Sequence, residues 1–306
     1  MVKMLIVIVG PTAIGKTALA VQIAQKFQTE IISADSRQFY IETEIGTAKP
    51  SAVELAAAKH HFINSHHITE NFNVGNFETQ SLAKLNEIFE KHDFAVLVGG
   101  SGLYINAVCN GFDDLPRASA ELRAQLNQDF LDEGIEPLQR RLQELDPLYF
   151  KEVDIHNPQR IIRALEVCIS TGIPFSTYRT RSQKTRPFSC VKIGLNTNRD
   201  QLYDRINKRV DQMIAMGLED EARKLMPYRH LNALNTVGYT ELFAYFDGKI
   251  TRNEAIEKIK QNTRRFAKRQ LTWFRKDPEI NWFEPSESFN KTQQILLNLS
   301  SINWEL

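Results

Sequence analysis

The sequence predicts an α/β protein in which a parallel-sheet core carries an inserted all-helical lobe. Short apolar runs at 4–9, 30–34 and 94–98 are typical of buried parallel strands. A region rich in Glu, Arg and Leu then follows without a convincing strand pattern, and a strand signature returns at 190–195. We therefore expect a core made of 1–112 and 194–306, with a helical insertion at 113–193.

The first 110 residues alternate strand and helix signals. The run MLIVIV at 4–9 is wholly apolar and rich in β-branched residues, and Thr17–Lys26 then carries Ala, Leu, Val and Ile at helical spacing. The apolar runs at 30–34 and 94–98 each precede turn-forming residues. Strands that alternate with helices predict βαβ units and a parallel sheet.

The rest of the chain is mainly helical in pattern. The insertion contains three amphipathic stretches, ELRAQLNQDFLDEG, EPLQRRLQEL and PQRIIRALEVCIS. After the strand CVKIGL at 190–195, residues 199–225 and 252–274 are each predicted to form a long amphipathic helix that packs back on the core.

Composition is that of a soluble globular protein. The 306 residues are 42% apolar and 25% charged, and the N-terminal apolar run is too short to span a bilayer and lacks a small-residue cleavage site. The three cysteines are odd in number and far apart, which argues against a disulfide framework. We expect a cytoplasmic protein without a membrane segment, and a monomer because no second apolar face stands out.

Charge is unevenly distributed along the chain. The net charge is only +1, yet the segment 252–276 contains nine Lys or Arg against two acidic residues. A local basic cluster of this kind is typical of a surface that binds nucleic acid.

The clearest motif is a phosphate-binding loop between the first strand and the first helix. Its eight residues match G-x-x-x-x-G-K-[ST] and are Gly10, Pro11, Thr12, Ala13, Ile14, Gly15, Lys16 and Thr17. Backbone N–H groups and a helix N-terminus would surround phosphate oxygens, Lys16 would neutralise them, and the Thr17 hydroxyl would ligate Mg²⁺. The motif predicts a P-loop NTPase-like core, the fold of many nucleotide-binding and ATP-binding proteins.

Many P-loop enzymes have, besides the strand before the loop, another apolar strand that ends in a carboxylate. The run at 94–98 continues into Gly99-Gly100-Ser101-Gly102, without the Asp with which many P-loop ATPases and kinases hold magnesium. The strand EIISA at 30–34, in contrast, ends at Asp35, where α/β proteins bind ligands. Asp35 could be a general base, a partner of bound Mg²⁺, or a helix N-cap.

Two arginine-rich segments are candidates for RNA contact. Gln159 to Arg163 places Arg160 and Arg163 on one helix face, because Ile161 and Ile162 supply the buried face. Segment 264–276 interleaves basic residues with Phe266, Trp273 and Phe274. Each could instead be an ordinary solvated face whose charges pair with acidic neighbours.

Together these motifs resemble the tRNA dimethylallyltransferases of the bacterial type. The resemblance covers nearly the whole chain and includes GPTAIGKT, ISADSRQFY, IGTAKP, KHHFI, VGGSGLYI, NPQRIIRALEV, DRINKRVDQMIAMGLEDEARKL, VGY and NTRRFAKRQLTWFRKD. It implies a prenyltransferase of tRNA processing, which moves a dimethylallyl group from its diphosphate to N6 of the adenosine 3′-adjacent to the anticodon, in tRNAs reading codons that begin with U. It also implies Mg²⁺ beside the diphosphate.

The resemblance also implies individual roles. Thr12 to Thr17 and Arg209 would hold the diphosphate, with Asp35, Lys16, Thr12 and Arg209 carrying catalysis. Contact with the anticodon stem-loop and the flipped base would come from Asp35, Ser36, Arg37, Gln38, Ser101, Arg123, Gln159, Arg160, Ile161, Ile162 and Arg163.

This chain departs from the family pattern at several positions. Ile14 and Ser101 replace residues more usual there, and Asn235 and Thr240 stand where some members have arginines. The C-terminal zinc finger of eukaryotic members is absent from the sequence. Three other functions remain to be considered: an adenylate isopentenyltransferase, a P-loop small-molecule kinase, and an RNA-binding protein without catalysis.

Overall fold

The computed structural model describes residues 3–113, 115, 116, 118–180 and 184–302, with the backbone alone for 297–302. Within these ranges the chain separates into two compact units. One contains residues 3–109 and 186–302, and the other contains residues from 110 to 185. None of the described helices has both the length and the apolar character needed to cross a membrane.

The first unit is built on a parallel six-stranded sheet. Its strands, in sheet order, are β3 (His60–His61), β2 (Ile31–Ser33), β4 (Phe94–Gly99), β1 (Met4–Val9), β5 (Ser189–Leu195) and β6 (Asn281–Phe283). The predicted α/β class is therefore confirmed. β1 is buried along its whole length, as its unbroken apolar run indicates.

Helices cover both faces of this sheet. Before the insertion they are α1 (Lys16–Lys26), α2 (Ala52–Ala57), α3 (Val74–Lys91) and α4 (Gly102–Asn110); after it they are α10 (Arg199–Ala215), α11 (Leu218–Leu225), α12 (Tyr239–Phe246), α13 (Arg252–Phe274) and α14 (Ser288–Ile302). Two apolar clusters lie on opposite sides of the sheet. One includes Leu5, Val7 and Leu97, and the other includes Ile6 and Ile8, because successive strand side chains point to opposite faces.

The predicted continuous helix at 199–225 is wrong. It is interrupted at Gly217, which has a φ of 99° and forms the N-cap of α11. Glycine adopts this left-handed conformation without the steric cost that a Cβ would impose. The amphipathic pattern continues across the break, so periodicity alone does not locate it. The predicted helix 252–274, in contrast, is observed as α13.

The second unit is helical. It consists of α5 (Ala120–Glu133), α6 (Glu136–Leu145), α7 (Pro147–Glu152), α8 (Pro158–Thr171) and α9 (Phe175–Tyr178). These helices bury their own apolar cluster, which includes Leu126, Leu142 and Leu165. The unit begins at 110 and ends at 185, whereas the insertion was predicted to span 113–193. The later C-terminal boundary fails because Ser189–Leu195 is paired with β1 in the sheet.

Candidate active site

The phosphate-binding loop follows β1 and leads into α1. Gly10 and Gly15 have φ angles of 147° and 106°, conformations that favour glycine. Gly15 is the N-cap of α1, so the loop ends at a helix N-terminus with its partial positive charge. This local geometry is suited to binding a phosphate group.

Lys16 and Arg209 place positive charge beside the loop. The Lys16 Nζ donates a hydrogen bond of 2.8 Å to the carbonyl of Pro11. Burial lowers the pKa of Lys16 to about 8; the nearby Asp35 carboxylate opposes this shift and Arg209 adds to it. Burial also lowers the pKa of Arg209, against the attraction of Asp35. These opposing effects indicate that one carboxylate and two cations share a partly desolvated region.

Thr12 is held by residues from two distant helices. Its hydroxyl accepts a hydrogen bond of 3.2 Å from Nη1 of Arg209, which lies on α10. Its backbone N–H donates to Oε1 of Gln270 on α13 at 2.8 Å. Nη2 of Arg209 also donates to the carbonyl of Ala48 at 3.1 Å. Arg209 therefore joins the phosphate-binding loop to the IGTAKP segment.

Asp35 lies just beyond β2, as predicted. Its Oδ1 accepts the backbone N–H of Arg37 at 3.1 Å. Ser101 contacts the same turn, because its Oγ accepts the backbone N–H of Ser36 at 3.0 Å. No helix begins after Asp35: the chain forms turns there, so a helix N-cap is not its role.

A cavity of about 690 Å³ brings several of these groups together, although Lys16 and Thr17 are not among the residues of its described wall. Its wall includes six of the predicted site residues, namely Thr12, Asp35, Ser36, Arg37, Ser101 and Arg209. Apolar side chains of Val210, Met213 and Val237 line the same cavity. The cavity thus combines a cationic and polar edge with an apolar wall, as an amphiphilic ligand requires.

Arg37 and Gln38 are engaged by the protein itself. The Arg37 guanidinium donates to the carbonyls of Asn232 and Asn235, at 2.7 and 3.4 Å. The Gln38 amide donates to the carbonyls of Thr47 and Ala48, both at 3.2 Å. Both residues therefore hold neighbouring loops of the cavity. Arg37 lines the cavity, whereas the described cavity wall does not include Gln38.

The helical unit contains the other predicted RNA contacts. Arg123 and Arg163 both approach the carboxylate of Glu166, at 3.2 and 3.1 Å, and the side chain of Glu166 is only 2% exposed. The Arg123 guanidinium also donates to the Gln159 amide oxygen at 3.4 Å. Arg160 is exposed on the same helix, α8.

Two of the predicted RNA-binding residues have inaccessible side chains. Ile161 and Ile162 are fully buried in the apolar cluster of the helical unit. Side-chain contact between them and RNA is therefore contradicted by the structure. Their position on the buried face of α8 is instead what directs the neighbouring arginines outward.

The basic segment on α13 is only partly neutralised. Arg252 pairs with Glu219, and Lys260 pairs with Asp211 and Glu257. In the described ranges, Arg265, Lys268, Arg269, Arg275 and Lys276 are exposed and form no ion pair. This unpaired positive charge distinguishes the second half of α13, together with the two residues that follow the helix, from an ordinary solvated face.

A bound divalent cation is compatible with the oxygen donors at this site. Thr17 is the second residue of α1 and is partly exposed. The Asp35 carboxylate lies in the wall of the cavity. No cluster of three or more His, Cys, Asp or Glu capable of holding a metal was found among the described residues. Magnesium commonly takes one or two protein oxygens and completes its shell with substrate phosphates and water, so this sparse donor set fits it.

Sequence reasoning missed Gln270, Glu221 and Tyr239. The Glu221 carboxylate accepts the backbone N–H groups of Glu44, Ile45 and Gly46 at 3.0, 2.8 and 2.9 Å, and also the Tyr239 hydroxyl at 2.7 Å. These hydrogen bonds fix the loop that precedes Thr47 and Ala48 of the cavity wall. Of these three residues, only Gln270 could have been noticed in the sequence. It is a polar residue at a position of α13 where helical periodicity predicts an apolar one.

Comparisons with known proteins agree on one family. Residues 38–277 match the family described as IPP transferase. The chain is 58% identical to the tRNA dimethylallyltransferase of Christiangramia forsetii, over 93% of this chain and 94% of that protein. It is 50% identical to the tRNA dimethylallyltransferase of Flavobacterium johnsoniae, over 98% and 99% of the two chains.

A solved structure gives the same result in three dimensions. The full-length tRNA isopentenylpyrophosphate transferase of Bacillus halodurans is 39% identical and superposes with a TM-score of 0.71, covering 99% of this chain and 97% of that one. The matched segment includes Gln38, the Ser101 loop, the helical unit and the cavity-lining helices α10 to α13. This chain is a member of the IPP transferase family.

Proposed function

We propose that this protein transfers the dimethylallyl group of dimethylallyl diphosphate to N6 of the adenosine 3′-adjacent to the anticodon in tRNA, with release of diphosphate. The observation that carries the proposal is one cavity whose wall contains both the Thr12–Arg209 pair and the Asp35 carboxylate. A group that holds a diphosphate and a group that accepts a proton therefore face the same space. Membership of the family supports the choice of donor and acceptor.

The donor would bind with its diphosphate at the phosphate-binding loop. Lys16 and Arg209 offset the charge that develops on the leaving diphosphate as the allylic C–O bond breaks. The Thr17 hydroxyl would supply an oxygen for Mg²⁺, which would add electrostatic stabilisation of the diphosphate when bound. The apolar side chains of Val210, Met213 and Val237 suit the five-carbon group.

The acceptor adenosine would enter the same cavity from the side of Asp35 and Ser101. A new bond forms between N6 and the allylic carbon, and N6 loses one proton. The Asp35 carboxylate is the group that accepts this proton, because it lies in the cavity wall and its Oδ1 is oriented by the Arg37 N–H. An adenine deep in such a cavity must be flipped out of its stacked position.

The RNA itself would be held by exposed positive charges. Arg265, Lys268 and Arg269 on α13 are exposed, and Arg269 also lines the cavity. Arg160 and Arg123 offer positive charge on the helical unit. Contacts of this kind position the nucleic acid by its backbone.

We place the monomeric protein in the cytoplasm, where three free cysteines are compatible with a reducing environment.

The test is incubation with dimethylallyl diphosphate, Mg²⁺ and unmodified tRNA whose anticodon ends in adenosine, followed by nucleoside mass spectrometry. The expected product is one adenosine that has gained a C5H8 unit beside the anticodon. Parallel reactions with free adenosine monophosphate and with ATP provide the controls. Prenylation of the free nucleotide alone would indicate an adenylate isopentenyltransferase, and consumption of ATP with phosphoryl transfer would indicate a kinase.

A further inference from the structure

Gln270 is a buried polar residue on the apolar side of α13. It is 6% exposed and lies between Ala267 and Phe274, which are 0% and 4% exposed. Burying an amide costs free energy unless its donor and acceptor both find partners. A glutamine at this position therefore calls for a specific explanation.

Both ends of the Gln270 amide are hydrogen-bonded to loops of the active site. Oε1 accepts the backbone N–H of Thr12 at 2.8 Å, and Nε2 donates to the carbonyl of Gly100 at 3.0 Å. The opposite amide orientation would place two donors together and two acceptors together. Only the observed orientation satisfies both loops.

Gly100 leaves room for the Gln270 amide because it has no side chain. A Cβ at Gly100 would lie 2.2 Å from Nε2 of Gln270, much closer than any real contact. The same Cβ would lie 3.9 Å from Nζ of Lys16, so this contact is directly beside the lysine of the phosphate-binding loop. The glycine after β4 thus allows α13 to approach the loop closely.

The contact changes how Thr12 can meet a phosphate. In a phosphate-binding loop the backbone N–H groups commonly point at the ligand. Here the Thr12 N–H is directed at Gln270, while the Thr12 hydroxyl faces Arg209 and the cavity. The side chain of Thr12, rather than its N–H, is therefore the group presented to a ligand.

We propose that Gln270 is a positioning residue that holds the Thr12 backbone so that the Thr12 hydroxyl and Arg209 together receive the diphosphate. The inference deepens the proposed function and rests on it for the identity of the donor. It does not depend on prenyl transfer for its test, because inorganic pyrophosphate serves as the probe for the diphosphate site.

The test compares Gln270→Met with the wild-type protein by titration calorimetry with pyrophosphate and Mg²⁺. Methionine keeps the length of the side chain and removes both hydrogen bonds, so the dissociation constant should rise roughly tenfold. In the transfer reaction the KM for dimethylallyl diphosphate should rise while the KM for tRNA stays unchanged. Dissociation constants within twofold of each other, in a folded variant, would overturn the proposal.

Thr292→Val is a matched control for general loss of stability. Thr292 is also fully buried, and its hydroxyl donates to Ser288 within α14. The control should lose stability and keep its pyrophosphate affinity. A comparable loss of affinity in the control would show that Gln270 acts only through overall stability.

Gln270→Asn keeps the proposal testable if the methionine variant does not fold. Asparagine keeps the neutral amide but is one methylene shorter, so it cannot reach Thr12 and Gly100 together, and affinity should again fall. Unchanged affinity would overturn the proposal. If wild-type protein binds pyrophosphate but forms no prenylated tRNA, the proposed function fails while the role of Gln270 is still decided by these titrations.

Discussion

The Thr12 hydroxyl accepts a hydrogen bond of 3.2 Å from Arg209, a residue 197 positions away in the sequence. This contact joins α10 to the predicted phosphate-binding loop. Arg209→Ala should raise the KM for dimethylallyl diphosphate by roughly 10- to 100-fold, because a charge-assisted contact with the diphosphate is lost. Steady-state kinetics with the donor varied provides the measurement.

Arg199→Ala is the matched control for this prediction. Arg199 is an exposed arginine at the start of the same helix and stacks over Tyr203. Its removal should leave the KM for the donor unchanged. Equal effects of the two substitutions would indicate long-range loss of positive charge rather than a specific contact of Arg209.

Asp35→Asn should lower kcat by roughly 10²- to 10⁴-fold, because asparagine cannot accept the proton from N6. The amide oxygen can still accept the Arg37 N–H, so the turn should be preserved. Single-turnover prenylation and filter binding of tRNA, measured in parallel, separate chemistry from affinity. Asp93→Asn, which breaks only an ion pair with Lys3, is the control. A loss confined to tRNA affinity would assign Asp35 to base recognition instead.

The lowered pKa of Lys16 predicts that binding of the diphosphate donor depends on pH. Burial lowers its pKa to about 8, so in the free protein it is protonated below that pH and neutral above it. Pyrophosphate prefers the protonated form. Its affinity should therefore decrease as the pH rises above about 8, up to a limit of about tenfold per pH unit for one proton.

Lys16→Arg is the control for this prediction. Arginine remains charged throughout the range, so any change of the variant's pyrophosphate affinity with pH comes from other groups, including pyrophosphate itself. The ratio of the two dissociation constants, measured by calorimetry between pH 6.5 and pH 9.5, should change only above about pH 8. A ratio that stays constant over the whole range would contradict a lowered pKa for Lys16.

Arg160 and Arg163 should differ in what they contribute. Arg160→Ala removes an exposed charge, so tRNA binding should weaken and the salt dependence of log K should lose about one unit of slope. Arg163→Ala removes a partner of the buried Glu166, so it should destabilise the helical unit by about 2 kcal/mol. Filter binding at several salt concentrations and urea denaturation distinguish the two. An unchanged slope for Arg160→Ala would remove this residue from the RNA-binding surface.

Local patterns determined much of the fold. The residues that shape the phosphate-binding loop are all within 10–17 and lie between an apolar strand and an amphipathic helix, so sequence spacing was sufficient to predict the loop. The position of Asp35 followed similarly from the end of a strand. The buried face of α8 followed from helical periodicity, although the RNA contacts predicted for Ile161 and Ile162 were inconsistent with that same face.

Contacts between distant segments required the tertiary structure. The sequence alone predicted a phosphate-binding loop at Gly10 to Thr17 and a carboxylate at the end of another strand of the sheet, because each signal lies within one local segment. Only the folded chain decided that Arg209 and Gln270, which are 197 and 258 positions from Thr12, hold its side chain and its backbone. Helical periodicity specifies which face of a helix is buried, but which loop that face meets depends on how the elements pack.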